Sequence, residues 1–153
     1  MFAFQIQPVL SRLDSLLPLA EDIRELSVLE SSGEPGKWNK MRKYAMERLV
    51  WLAIEAVTDI GTMILDGLIL RDAGSYEEII QILELEQAIS NELSEPLRAW
   101  VKLRQSLIGT SFQSETAPSD VMEQFGVLHL LLLDFHVSIH LFLRSELGDF
   151  KRS

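Results

Sequence analysis

The longest helical pattern in the chain runs from Tyr44 to Asp66, with the sequence YAMERLVWLAIEAVTDIGTMILD. At helical spacing six positions, most of them polar, form one narrow stripe, and the apolar surface beside that stripe is wider than the face of an ordinary surface helix. The stripe consists of Arg48, Trp51, Glu55, Asp59, Thr62 and Asp66. We therefore expect this central helix to be covered on two sides, either in the middle of a bundle or as both a bundle member and a subunit interface.

Gly61 lies inside this central helix. A glycine in a good helix costs about 1 kcal/mol relative to alanine, and the close approach of a neighbouring backbone is the usual compensation. We expect such a backbone next to Gly61.

Helical periodicity also predicts a first helix from about Ile6 to Leu29. Pro18 lies in its middle, where a proline removes a backbone donor and clashes with the preceding turn, so we expect a kink or a break there. Residues 31–36, SSGEPG, form a turn-rich connection. The central helix should begin after it, near Asn39.

Two shorter helices are predicted after the central one. Ser75 and Glu78 form a capping box that opens a third helix over residues 76–89. Ser94 is the predicted N-cap of a fourth helix, which has a proline in its first turn and ends near Ile108.

A last long helix is predicted from Asp120 to about Leu147, capped by Ser119 and closed by Gly148. Because no segment alternates over the length of a strand, the chain is predicted to be all-α. The expected architecture is an up-and-down bundle of about five helices that forms one domain over residues 1–153.

Composition narrows the classes of function. The 153 residues include no cysteine, which excludes a disulfide framework and cysteine-based zinc sites. The net charge of -9 argues against strong phosphate-driven nucleic-acid binding, so we expect no DNA partner and leave RNA open. The basic cluster Lys37, Lys40, Arg42 and Lys43 fits a solvated helix start better than a nucleic-acid site.

Residues 125–143 form an apolar run about long enough to span a bilayer. Asp134 lies at its middle, and three histidines are spread through it, so a buried amphipathic helix is the better interpretation. The N-terminal sequence has no signal-peptide pattern. We expect a cytoplasmic protein without a membrane partner.

Three segments of the central helix resemble the signature helix of the HepT-like branch of the HEPN-domain proteins. They are Tyr44–Arg48 (YAMER), Ala53–Ala56 (AIEA) and Asp59–Gly61 (DIG). The resemblance continues through Ser75-Tyr76, Glu92-Leu93 and Trp100–Arg104, and so covers about Lys40 to Phe135. It implies a HEPN-like helical domain, a homodimer, and kinship with bacterial ribonuclease toxins that are encoded beside a nucleotidyltransferase antitoxin.

The fourth helix of HepT-like proteins carries the motif Arg-Asn-x-x-x-His-x-Tyr. The resemblance assigns ribonuclease chemistry to the arginine and histidine, which meet across a dimer, and makes the tyrosine the site that the partner modifies with AMP. In this chain the motif positions are Arg104, Gln105, Gly109 and Ser111. The arginine is present, but the histidine and the tyrosine are replaced.

This replacement bears directly on catalysis. Cleavage of RNA by its 2′-hydroxyl needs a group that moves protons near neutral pH, which suits histidine, whereas arginine stays protonated. We therefore expect a non-catalytic, dimeric binding or interaction module in which Arg104 is vestigial. An active ribonuclease toxin neutralised by a nucleotidyltransferase is the first alternative.

Arg104 falls on the apolar face of its predicted helix, where an unpaired charge is costly. It can form an ion pair with Glu55 or Asp59, contribute with Gln105 to a retained phosphate or nucleotide site, or extend its charged end to solvent. The ion pair is the favoured interpretation.

Two constellations could hold a metal ion. Glu55 and Asp59 lie one helical turn apart, and so do His136 and His140 of the last helix. For Glu55 and Asp59, a solvent-exposed helix face is a simpler explanation than a metal site. For His136 and His140, structural histidines packed in a bundle are the simpler explanation. We expect no metal and no cofactor, with a metal-binding bundle built on His136 and His140 as the second alternative.

Overall fold

The computed structural model describes residues 4–31, 37–68, 70–104 and 119–148, which fold into five helices. They are α1 (Ile6–Ser31), α2 (Lys37–Gly67), α3 (Tyr76–Leu85), α4 (Asn91–Lys102) and α5 (Ser119–Leu147). No strand occurs in the described part of the chain. The predicted all-α bundle is confirmed.

Helices α1 and α5 pack side by side in opposite directions. Asp14 near the start of α1 lies beside His136 late in α5, and Ser27 near the end of α1 lies beside Gly126 early in α5. Every third or fourth residue of both helices is buried, which produces a long apolar seam. The buried residues are Val9, Leu13, Leu16, Ala20, Ile23 and Leu26 of α1 and Phe125, Leu128, Leu132, Phe135, Ile139 and Leu143 of α5.

Helix α2 is the central helix of the bundle and contacts each of the other four. Its Val50, Ile54 and Val57 face Trp100 of α4 and Leu128 of α5. The wide apolar surface of α2 is therefore covered largely within the chain. This agrees with the first of the two predicted arrangements, a helix in the middle of a bundle.

Gly61 of α2 has a close neighbour, although it is not the backbone that we expected. A Cβ atom at this position would collide with Cγ2 of Ile79 and lie 3.4 Å from Cδ1 of Leu83, both side chains of α3. The missing side chain lets the isoleucine of α3 pack directly on the α2 backbone.

The capping box at the start of α3 is present in a modified form. The backbone amide of Glu78 donates to Oγ of Ser75 at 3.2 Å, as predicted. The Glu78 carboxylate accepts from the amide of Gly74, one residue before the predicted partner. The start of α3 at Tyr76 is confirmed.

The boundary between α3 and α4 differs from the prediction. Helix α3 ends at Leu85, and α4 starts at Asn91 with Ser90 as its N-cap, accepting from the amide of Leu93 at 3.2 Å. The predicted cap, Ser94, is instead fully buried in the second turn. The earlier start places Leu93 in the core, which explains why Ser90 rather than Ser94 is the N-cap of α4. The predicted end at Ile108 lies outside the described residues.

Helix α1 runs through Pro18 without interruption, so of the kink or break expected there the break is wrong. Pro18 is exposed, so water can solvate the carbonyl group that its missing amide leaves without a donor.

Helix α5 is buried on one face only. Between Gln124 and Leu147 an 18-residue window has a mean hydropathy of 1.7, so the helix is long and apolar enough to cross a membrane by length and composition, and 28% of that window is buried. The predicted burial of this amphipathic helix therefore holds only for the face that packs against the bundle. The opposite face, called here the α5 stripe, consists of the exposed residues Val127, Leu130, Leu133, Val137 and Leu141.

Candidate functional site

Arg104 lies just beyond the C-terminal end of α4 and reaches the middle of α2. Its Nε donates to Oε1 of Glu55 at 3.0 Å. Both side chains are half-buried, with exposed fractions of 26% and 28%. The structure therefore places Arg104 in one of the two ion pairs predicted for it.

Two aromatic rings complete the surroundings of the guanidinium group. The Cζ atom of Arg104 lies 4.2 Å from the centroid of the Tyr76 ring and 5.2 Å from that of Trp51. The hydroxyl of Tyr76 also donates to Oε2 of Glu55 at 3.3 Å. Each oxygen of Glu55 thus accepts a hydrogen bond, and the four residues form one network, called here the Arg104 network.

The electrostatics of the network bear on what Arg104 can do chemically. The hydrogen bond to Glu55 raises the pKa of Arg104 above the ordinary value of arginine. The group therefore keeps its proton throughout the neutral range and cannot act as a general acid or base. It can supply positive charge, which Glu55 already balances.

Asp59, the other predicted partner, is engaged elsewhere. Its Oδ2 lies 3.3 Å from Nη1 of Arg12 on α1, and both side chains are more than half exposed. Glu55 and Asp59 therefore pair with different arginines. The cluster of three potential metal ligands among the described residues includes neither of them.

The other motif positions, Gln105, Gly109 and Ser111, lie outside the described residues. The replacement of the motif histidine and tyrosine is therefore known from the sequence alone. The binding role predicted for Gln105 stays a prediction.

His136 and His140 lie side by side on α5, with their ring centroids 4.9 Å apart and their planes tilted by 48°. Sequence reasoning missed their neighbour, Asp14 of α1, whose Oδ1 is 3.5 Å from Nε2 of His136. One ligand atom from each of the three side chains lies within 4.8 Å of the other two.

A spacing signal could have revealed this pairing. Hydrogen bonds from Arg24 hold the pKa of Glu21 below its ordinary value, and nearby His129 contributes a smaller effect of the same sign. Glu21 and His129 are thus close enough to interact electrostatically, two turns from the Asp14 contact. In the antiparallel pair of α1 and α5, acids seven residues apart on α1 match histidines seven residues apart on α5.

The sequence profile of the family described as "Ribonuclease HepT-like" matches residues 18–117 of this chain. This chain belongs to the HepT-like ribonuclease family. The match spans the C-terminal half of α1, all of α2, α3 and α4, and the positions of the degenerate motif.

One relative is the protein named "Putative RNase YutE" of Bacillus subtilis (strain 168). It is 27% identical over 110 residues, which cover 72% of this chain and 75% of YutE. The solved structure titled as a cytosolic protein of unknown function, YutE from Bacillus subtilis, superposes with a TM-score of 0.69. That superposition covers 94% of this chain and 96% of YutE.

Proposed function

We propose that this HepT-like chain is a dimeric interaction module that has lost ribonuclease catalysis. The observation that carries the proposal is the state of Arg104. This arginine is the motif's remaining catalytic side chain, and it is paired with Glu55 and enclosed by two aromatic rings. Gly109 stands where the motif has its proton-moving histidine.

The Arg104 network supports a structural role for the retained arginine. A phosphate group that binds Arg104 would have to compete with the Glu55 carboxylate, and the two negative groups would repel each other. The network also links three helices, because Glu55 and Trp51 come from α2, Tyr76 from α3, and Arg104 from the end of α4. Packing therefore accounts for an arginine at this position even without the motif histidine.

A second copy of this chain is the proposed occupant of the α5 stripe. Val127, Leu130, Val137 and Leu141 are between 44% and 59% exposed. The five residues of the α5 stripe recur at intervals of three or four residues, the spacing with which two helices pack along a seam. A contiguous apolar face of this kind on a soluble chain is typical of a protein interface.

A nucleotidyltransferase is the proposed protein partner, on the strength of family membership. With Ser111 in place of the motif tyrosine, this partner would bind without transferring AMP to a tyrosine at that position. We place the protein in the cytoplasm, as the description of YutE as cytosolic supports. We propose no DNA or membrane partner, in keeping with the net charge of -9.

An active ribonuclease toxin is the second candidate, favoured by the family description and by the provisional name of YutE. The two candidates differ in the cell. The toxin arrests growth when expressed alone, and Arg104→Ala relieves the arrest. The interaction module leaves growth unchanged at matched protein levels, both with the natural sequence and with the variant.

A further inference from the structure

The α1–α5 face carries a cluster of potential metal ligands that the Arg104 network does not use. Asp14, His136 and His140 all lie outside the region matched by the family profile, which covers residues 18–117. The cluster is thus a feature of this chain separate from the motif. We propose that these three side chains bind a divalent transition-metal ion, with zinc as the best match.

The arrangement of the donors supports this site. His136 and His140 are one turn apart on the same helix, a spacing that allows two imidazoles to share one ion. Asp14 approaches from the facing helix and brings a negative charge that balances part of the charge of the ion. Two histidines and one carboxylate are a common ligand set for zinc, with one position left for water or a further ligand.

The distances are compatible with loading by a small movement. A tetrahedral zinc ion that holds its ligands at about 2.0–2.1 Å separates them from one another by about 3.3 Å. The three donor atoms now lie within 4.8 Å of one another. The Asp14 side chain is 69% exposed and can rotate to close this gap, whereas His136, which is 16% exposed, is held by packing.

The state of His136 is a second observation in favour of a ligand. Its Nε2 atom is buried and makes no hydrogen bond among the described residues, although it faces the Asp14 carboxylate at 3.5 Å. A sheltered imidazole nitrogen without a hydrogen bond is unfavourable unless it acquires a partner, and a metal ion is one that nitrogen and carboxylate can share.

The chemistry of the donors selects the class of ion. Imidazole nitrogen suits zinc, copper, nickel and iron, whereas magnesium and calcium prefer sites made of oxygen. The ion would join α1 to α5 in the first half of α1. Zinc binding should therefore raise the thermal stability of the protein, because it favours the folded state.

The test is a zinc chloride titration of the purified, tag-free, chelator-treated full chain, with bound metal measured after dialysis. The expected result is saturation at about one zinc per chain together with a higher Tm. His136→Ala and His140→Ala should each weaken binding by at least about tenfold. Asp14→Asn should weaken it less, because this ligand is exposed.

His129→Ala is the matched control, since it removes a third histidine from the same helix without touching the cluster. It should bind zinc as the natural protein does, and circular dichroism should show that all variants are folded. Cobalt(II) used in place of zinc should give visible absorption bands that disappear in His136→Ala. The proposal is overturned if the natural protein binds no zinc, or if His129→Ala loses zinc as strongly as His136→Ala. Neither result would bear on RNA cleavage.

Discussion

Arg104 donates from Nε to Oε1 of Glu55 at 3.0 Å and thereby joins the end of α4 to the middle of α2. Replacing Glu55 by glutamine keeps the shape of the side chain but removes its charge, so the half-buried guanidinium loses its counter-ion. We expect the free energy of unfolding to fall by about 1 kcal/mol and Tm by about 2–4 °C, measured by thermal and urea denaturation.

Asp59→Asn is the matched control, because it makes the same change one turn away in an exposed pair with Arg12. It should alter stability by no more than about 0.5 kcal/mol. The raised pKa of Arg104 means that its contribution is present at every pH below the usual arginine value and is lost only above its folded value. The cost of Glu55→Gln should therefore be the same at about pH 7 and pH 8.5, where the phenol of Tyr76 also keeps its proton. Equal costs for the two variants would contradict a specific role of the Arg104 network.

Gly61→Ala should destabilise the protein even though alanine is the better helix former. The new methyl group would collide with Ile79 of α3, and overpacking of a core contact costs about 1–3 kcal/mol, against a helix gain of about 1 kcal/mol. Removing the obstacle with Ile79→Ala should make the double variant less destabilised than the sum of the two single variants, as a double-mutant cycle measures.

Gly126→Ala is the control for this prediction. Among the described residues a methyl group there would meet only Oγ of Ser27, at an ordinary 3.4 Å, so the helix propensity of alanine should prevail and stabilise the protein by up to about 1 kcal/mol. If Gly61→Ala also stabilised the protein, the described packing of α3 on α2 would be wrong.

The α5 stripe predicts the behaviour of the chain in sedimentation. The natural protein should be a dimer at micromolar concentration, and the double variant Leu130→Glu with Val137→Glu should be a folded monomer, because facing charges cannot be buried in the seam. Leu85→Glu changes a residue on α3 that is 64% exposed and should leave the dimer intact.

Leu52→Glu tests the alternative that the subunits meet through α2, where this residue is 37% exposed. If it dissociates the dimer while the α5 variant does not, the interface lies on α2. A natural protein that sediments as a monomer would refute the dimer itself.

The sequence predicted the bundle because helical periodicity is a local property that packing preserves. It also narrowed the partner of Arg104 to two carboxylates one turn apart. It could not choose between them, because the choice depends on Arg12, which α1 brings to Asp59 from far along the chain.

Other features depended on competing or distant signals. Ser90 and Ser94 are both acceptable N-caps by local chemistry, and the burial of Leu93 decides between them. Asp14 is an ordinary exposed acid until α1 and α5 are aligned in antiparallel register. Only the matched seven-residue spacings on the two helices hinted at that register.

The central claim is that this HepT-like chain keeps the motif arginine for packing and has no ribonuclease activity. Its most direct test is incubation of the purified protein with a long single-stranded RNA, beside Arg104→Ala purified in the same way. We predict that neither sample degrades RNA faster than buffer alone. Cleavage by the natural protein that disappears in the folded Arg104→Ala variant would contradict the claim.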